Sequence, residues 1–547
     1  KLIISEDPNT GGSLSAFGGD NGAGIGGGDN QKGGTIIINS GTVTAQGHNG
    51  GAGIGGSRGK DGGVIEINGG TVNATADGGY WCSFAGAGIG GGGCYNNSND
   101  TAGSGGQITI NGGIVTATSK KNGAGIGSGA SGSESNSANG GTILITGGTV
   151  TATSGRYESG FGGAGIRGGN RGGGGSVTIT GGTVTAKGDA NAPSDIGDGV
   201  NGTGGTFSTG SDGHAVIYAD RISDETGKSN CTALIYTYDK KTGQVYGNLT
   251  VQDNMTIDAK QVLTVLDGSD LTIGDNTILT NNGTIIIEQG GTLQINETGK
   301  LVNNGTITNN SNSQGITGTG TIEGRGTLTG TGTIAPTITD NMVSPPVFTT
   351  PPSNATVSAL ASVTFTAEAA GKPVPTYQWQ VDKGSGWEDI SDATNSRYTI
   401  STTSGNMSGW QYRCIATNSE GSAESSAATL TVNKLTPIVT RPTAASGLTY
   451  TGEAQNLISA GSTSGGELQY STDGTYYSAT VPTGTDAKPY TVYYKVVGND
   501  NYDDVTAQYV SVTIDPKSIS GATVTLGDSL TYTGQQQTQT VSSVTID

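Results

Sequence analysis

The residues best equipped for chemistry in this chain are aromatic. The segment TADGGYWCSFAG carries Tyr80, Trp81 and Phe84, and TSGRYESGFGG carries Arg156, Tyr157 and Phe161. Aromatics make up only 5% of the composition, so two clusters at matching places in a repeat form a signal. Aromatic faces suit the apolar faces of pyranose rings, and the pattern points to a sugar-stacking ridge. Lys120 and Lys121 lie between the two clusters. The competing expectation is that these rings pack beneath their own long loops as satellite clusters.

Other chemistries find less to work with. His48 and His214 are the only histidines, and no CxxC motif accompanies the four cysteines, so a zinc site is not expected. Cys82 and Cys94 flank one glycine-rich segment, where a disulfide across a corner is as open as two free thiols. Asp195 and Asp198 in SDIGDGVNG offer oxygens that calcium could use with loop carbonyls. They lack the repeating GGxGxD register of calcium-binding β-rolls, so turn chemistry is the better reading and no cofactor is expected.

These residues must be positioned by a repeat. Short segments begin at Thr35, Val64, Gln107, Thr142 and Ser176, spaced by 29, 43, 35 and 34 residues. Each has Ile or Val at its second and fourth positions, as in Ile36 and Ile38. A second segment follows each, with Val and Ala at those positions, as in Val43 and Ala45. A third, GAGIGGG-like, alternates Ala and Ile with glycine, as in Ala23 and Ile25. Alternation at period two puts one apolar face on each strand. A three-strand unit of this kind cannot bury itself, but stacked copies share a core. The reading is all-β, a right-handed parallel β-helix with a narrow interior. Asn39, Asn68 and Asn111 end successive first strands, where amides can hydrogen-bond along the axis.

The glycines of the third wall, such as Gly24, Gly26, Gly53, Gly55, Gly88 and Gly90, are expected to face outward. Either φ is positive there or something lies flat against the wall, a loop, a polymer or a second copy in self-association. On the first wall Glu66 has no second carboxylate stacked beside it for paired acid/base work. Outward threonines such as Thr42 and Thr44 would suit ice binding, but Asn73 and Ile114 interrupt the columns and threonine is in any case a good strand residue.

The repeat divides the chain. Residues 1–205 form the long-looped helix, 206–247 a transition or side element, and 248–340 a second helix whose segments LTVQDNMTI, LTIGDNTIL and LQINETGKL recur every 22 residues. After a proline-rich linker, 346–433 reads as an Ig-like sandwich, with Trp379 on strand C and Tyr412 two residues before Cys414. Ala367 stands where the partner cysteine belongs, so Cys414 is expected to be a buried free thiol. Residues 435–515 form another β module, and LTYTGEAQ at Leu448 returns as LTYTGQQQ at Leu530, so 516–547 open a further copy expected to continue. Tandem Ig-like β-sandwiches thus follow the solenoid.

The modules from Leu435 resemble the bacterial Ig-like repeats of large Gram-positive surface proteins. The GGTVTA and GAGIGGG coils resemble glycine-rich repeats of such proteins, described as pectate-lyase-like or carbohydrate-binding β-helices. The resemblance implies a secreted or wall-attached protein, at the extracellular or cell-wall surface, with Ig-like modules as a stalk. The lone Glu66 and the clustered loop aromatics favour a non-catalytic adhesin or carbohydrate-binding stalk with a glycan or host-surface ligand. A polysaccharide-active lyase or glycoside hydrolase on the helix is the alternative, and a structural filament subunit the third. The formal charge of -18 disfavours nucleic acid and anionic membranes as partners, and no apolar run is long enough for membrane insertion.

Overall fold

The computed structural model describes all residues except 7–10, 80–82, 95–100, 133–137, 157–160, 211–212, 313 and 546–547. The chain divides into two compact units, Lys1–Val343 and Ser344–Asp547.

The first unit is built of stacked parallel strands. Wall one runs from Leu2–Ile4 through Thr35–Ile38 and Val64–Ile67 to Thr206–Ser208. Wall two holds the longest strands, such as Thr42–Gly47 and Thr71–Ala76. Wall three is made of two-residue strands, Ile25–Gly26, Ile54–Gly55 and their successors to Ile196–Gly197. Register follows the repeat, with Ile36 opposite Ile65 and Val43 opposite Val72. The expected alternation is realised: Ile36, Ile38, Val43, Ala45, Ala52 and Ile54 are all buried, the isoleucines and Val43 in one continuous core. Fully burying an Ile or Val contributes about 1.5–3 kcal/mol, and each coil adds several such residues.

In the first coil Gly24 is half-buried and Gly26 exposed, but beyond it the glycine wall does not face outward. Gly53, Gly55, Gly88 and Gly90 are buried. A Cβ on Gly53 would meet the Thr75 nitrogen at 2.5 Å and the Gly88 carbonyl oxygen at 2.6 Å. At Gly55 φ is +135°, and a Cβ would also strike the carbonyl of Gly90. Both causes considered for the glycines therefore operate, at alternate positions. The flat surface lying against them is the chain's own backbone, from wall two and the next coil.

At residues 206–247 the chain changes direction. Strands Ala215–Tyr218 and Ala233–Tyr236 continue wall two in parallel. Thr242–Tyr246 then pairs antiparallel to Ala233–Tyr236, and the 22-residue coils stack on it from Val262–Val265 onward. Among the described residues one sheet of 13 strands runs from Ser13–Phe17 to Thr327–Thr329. Its core changes sides at the reversal. Ala233 and Ile235 belong to the first core, whereas Leu234 and Tyr236 belong to the second with Val245 and Leu263. Strand direction and core side switch together, so the coils keep one winding sense.

The second helix has strands of similar length on all three walls, for example Asp270–Ile273, Ile278–Asn281 and Thr284–Ile287. Leucine fills it at Leu249, Leu271 and Leu293, aligned at the expected offset. Both helices carry amide ladders. Asn68 Nδ2 donates to Asn39 Oδ1 at 2.9 Å and Asn111 Nδ2 to Asn68 Oδ1 at 2.7 Å, on the surface. Asn281 Nδ2 donates to Asn303 Oδ1 at 2.7 Å with both residues fully buried.

In the second unit, Trp379, Tyr412, Cys414, Ala367 and Phe365 form the core of a β-sandwich. Its sheets are built around the pairs Thr376–Asp382 with Gln411–Asn418 and Val363–Thr366 with Arg397–Ile400. Cys414 is free and buried as expected, and burial pushes its thiol up to about 11. A further antiparallel sheet, Glu467–Ser471, Pro489–Val497 and Val505–Thr513, covers a core containing Leu457, Tyr470, Val492 and Ile514.

Candidate functional site

Wall two keeps strict register through Gln46, Thr75, Thr118, Thr153 and Lys187. The loops after it, 48–53, 77–88, 120–125, 155–165 and 188–195, therefore leave from one edge of the helix. Loops on a rigid scaffold are where binding residues concentrate.

The aromatic clusters divide on this edge. Tyr80, Trp81 and Tyr157 lie outside the described residues, and Arg156 is exposed. Phe84 is a correction to the expected ridge. It is only 5% exposed, packed with Cys94 and Ala130, and Phe161 meets it edge-on with centroids 5.5 Å apart. A ring clamped in this way offers no face to a sugar, so Phe84 anchors its loop. Lys121 Nζ donates to the Gly79 carbonyl at 2.7 Å and Lys120 pairs with Asp77 at 3.5 Å, tying the loops of coils two and three together. Cys94 is buried, with Gly132 N donating to its sulfur at 3.4 Å. Its pairing with Cys82 falls outside the described residues.

The acidic candidates are structural. Glu66 has Ile37 and Thr109 as its register neighbours, so no carboxylate stacks on it. Asp195 is fully buried and accepts from Gly188 N at 2.8 Å, Asp220 N at 2.9 Å and both the backbone and the guanidinium of Arg221 at 3.1 Å. Asp198 pairs with buried Arg167 at 2.8 Å, and desolvation lifts its carboxyl above the usual range despite that cation. Arg167 occupies a wall-three position that is glycine in the adjoining coils, at Gly127 and Gly197. Among the described residues no group of three or more His, Cys, Asp and Glu could hold a metal.

A second concavity was not foreseen. Where the 22-residue helix begins, its first coil rests on the outer face of wall two, leaving a cleft of about 510 Å³. Val216, Leu234, Leu249 and Met255 supply apolar lining, and His214, Asp253, Asn254 and Asp258 supply polar groups. Tyr218 and Tyr236 stack there with centroids 5.5 Å apart, and the Lys240 ammonium sits 4.8 Å from the Tyr218 ring. Burial raises the Tyr236 phenol strongly, with the charges of Tyr218 and Asp258 adding to it. The sequence signal was HAVIYAD and ALIYTYD, strands apolar at both parities, which a solenoid needs only where both faces are covered.

Known proteins match in parts. A β-helix repeat model matches residues 36–58, 65–93, 108–130, 143–170 and 177–207, and an immunoglobulin domain model matches 345–418. The chain therefore carries β-helix repeats and an Ig-type domain. It is 46% identical over 96 residues to Endoglucanase C of Cellulomonas fimi, covering 18% of this chain and 9% of that protein. It is 38% identical over 106 residues to Roundabout homolog 1 of Rattus norvegicus, covering 18% and 6%. The chain thus spans under a tenth of either relative's length. A crystal structure of the titin domains z1z2 in complex with telethonin is similar at 20% identity and TM-score 0.21, over 32% of this chain and 98% of that one. No helix among the described residues is long and apolar enough to cross a membrane.

Proposed function

We propose that this is a secreted or wall-attached, non-catalytic surface protein that binds glycan along the loop edge of its first β-helix, with the Ig-like modules as spacers. The observation that carries this reading is the loop edge itself: strict register aligns the loops of successive coils, and Phe84 and Phe161 brace the two that hold Tyr80, Trp81, Arg156 and Tyr157. The partial likeness to a bacterial endoglucanase agrees with a polysaccharide setting. The catalytic alternative loses support, because Glu66 stands between Ile37 and Thr109 and Asp195 already has its oxygens engaged.

A glycan array probed with the full chain tests the reading. Binding to a restricted set of glycans, lost in the double variant Trp81→Ala and Tyr157→Ala with an unchanged melting temperature, is the expected outcome. Absence of binding across the array, or binding indifferent to both substitutions, overturns it.

A further inference from the structure

We infer that the cleft at the junction of the two β-helices is a separate saccharide site, shaped for one or two uncharged hexose units. This inference does not rest on the loop-edge reading, since the cleft shares no residue with that edge.

Size sets the first bound. A volume of about 510 Å³ admits a disaccharide and excludes an extended polymer buried along its length. The lining then selects the chemistry. Val216 and Met255, both half-buried, provide an apolar floor for one face of a sugar ring. Asp253 and Asp258 line the same cleft and form no ion pair within the described residues. Carboxylates without a cation are acceptors for vicinal hydroxyls, and hydrogen bonds to charged groups are stronger than neutral ones. The same two charges repel uronic acids, which the single ammonium of Lys240 does not offset.

Tyr236 is the independent sign of a ligand. The residue is 1% exposed, lines the cleft, and no group among the described residues hydrogen-bonds its hydroxyl. Buried polar groups are nearly always satisfied within a fold, so an orphan in a cavity wall calls for a functional account. Phenylalanine would fill the same place and serve the core equally well. A sugar hydroxyl, which both donates and accepts, would supply the partner it lacks. His214 and Gln252, 3.3 Å apart, add further polar groups to the lining.

Isothermal titration of the full chain with cellobiose, maltose and lactose tests the proposal, with digalacturonic acid as the charged control. At least one neutral disaccharide should bind and the acidic one should not. Tyr236→Phe should weaken binding about tenfold while leaving the melting temperature equal or higher. Asp253→Asn, at an exposed position, should weaken it similarly. The proposal is overturned if no neutral sugar binds, or if binding survives both substitutions. It is equally overturned if binding is lost in the Trp81→Ala, Tyr157→Ala variant, which would assign the sugar to the loop edge. A fall in melting temperature for Tyr236→Phe with binding intact would make the hydroxyl structural and also refute it.

Discussion

A coil of the first helix takes 29 to 43 residues to close and the regular coils of the second take 22, yet both contribute strands of three to six residues to the sheet they share. The difference lies in the other walls. In the first helix the third wall is two residues long and its backbone presses against wall two, so that a Cβ at Gly53 or Gly88 would meet backbone atoms. The interior is filled by Ile, Val and Ala, and the residues released from the short wall become loops. In the second helix three walls of equal length enclose leucine and isoleucine, and tight turns join them. One helix gives up core volume and gains loops, while the other keeps its volume and has no chain to spare.

The sharpest way to break this contrast is to add side chains to the close backbone contact. Gly53→Ala with Gly88→Ala should destabilise the first helix by roughly 2–6 kcal/mol, because each Cβ meets immobile backbone. In the second helix Gly268 has φ +71° and open space for 4 Å around the place a Cβ would take, so the same change should cost only about 1 kcal/mol. Denaturant unfolding of the full-length variants compares the two, and equal losses would remove the distinction.

Core truncation should show the reverse ranking. Leu293→Ala in the second helix should cost about 2–5 kcal/mol, since Leu293 is fully buried between Leu271 and Ile316. Val72→Ala in the first helix removes two carbons where Leu293→Ala removes three, and should cost about two thirds as much in the same unfolding assay. A larger loss at Val72 would mean that the narrow core is the stiffer one.

The amide ladders sharpen the comparison further. Asn303→Ala leaves buried Asn281 without its 2.7 Å partner and should cost about 1–3 kcal/mol. Asn68→Ala breaks two similar bonds at the surface, where water replaces them, and should cost about 0.5–1 kcal/mol. Similar melting temperatures for the two variants would argue that burial does not govern these ladders.

Those ladders and the apolar alternation were legible in the sequence, because the two faces of each strand differ there in kind. Ile36 and Ile38 could only point inward, and an asparagine recurring at a strand end could only stack on its copies. The loop edge was legible as a place, since loops absorb the length variation, but not as a surface. Nothing in FAGAGIG distinguishes an inward Phe84 from an exposed one. The reversal at residues 206–247 escaped for a related reason. Ala233, Leu234, Ile235 and Tyr236 are all buried, so alternation, the only signal of facing, is erased where two cores share one strand. The burial of the glycine wall escaped because a residue without a side chain carries no pattern to read.

The smallest effect concerns the turn that joins the two directions. Hydrogen bonds from Lys241 and Thr237 hold the Asp239 carboxyl at about 2, below its ordinary 3.8. A lowered value stabilises the fold above the ordinary pKa, and the contribution fades as pH falls toward 2. The melting temperature of the native chain should therefore exceed that of Asp239→Asn slightly near neutrality, with the gap closing between about pH 4 and pH 2. A gap that widens on acidification would reverse the sign and refute the assignment.

The strand buried on both faces also gives the unit a direction in time. The first coil of the second helix has no coil of its own kind beneath it; it lies against Val216 and Tyr218, on the back of the first helix. On a ribosome the N-terminal coils emerge first and can stack before later ones exist. The finished first helix then serves as a mould on which the second is cast, whereas the second, formed alone, would have an open end and no template for its register. The first helix thus offers the second a template at the place where the sheet changes sides.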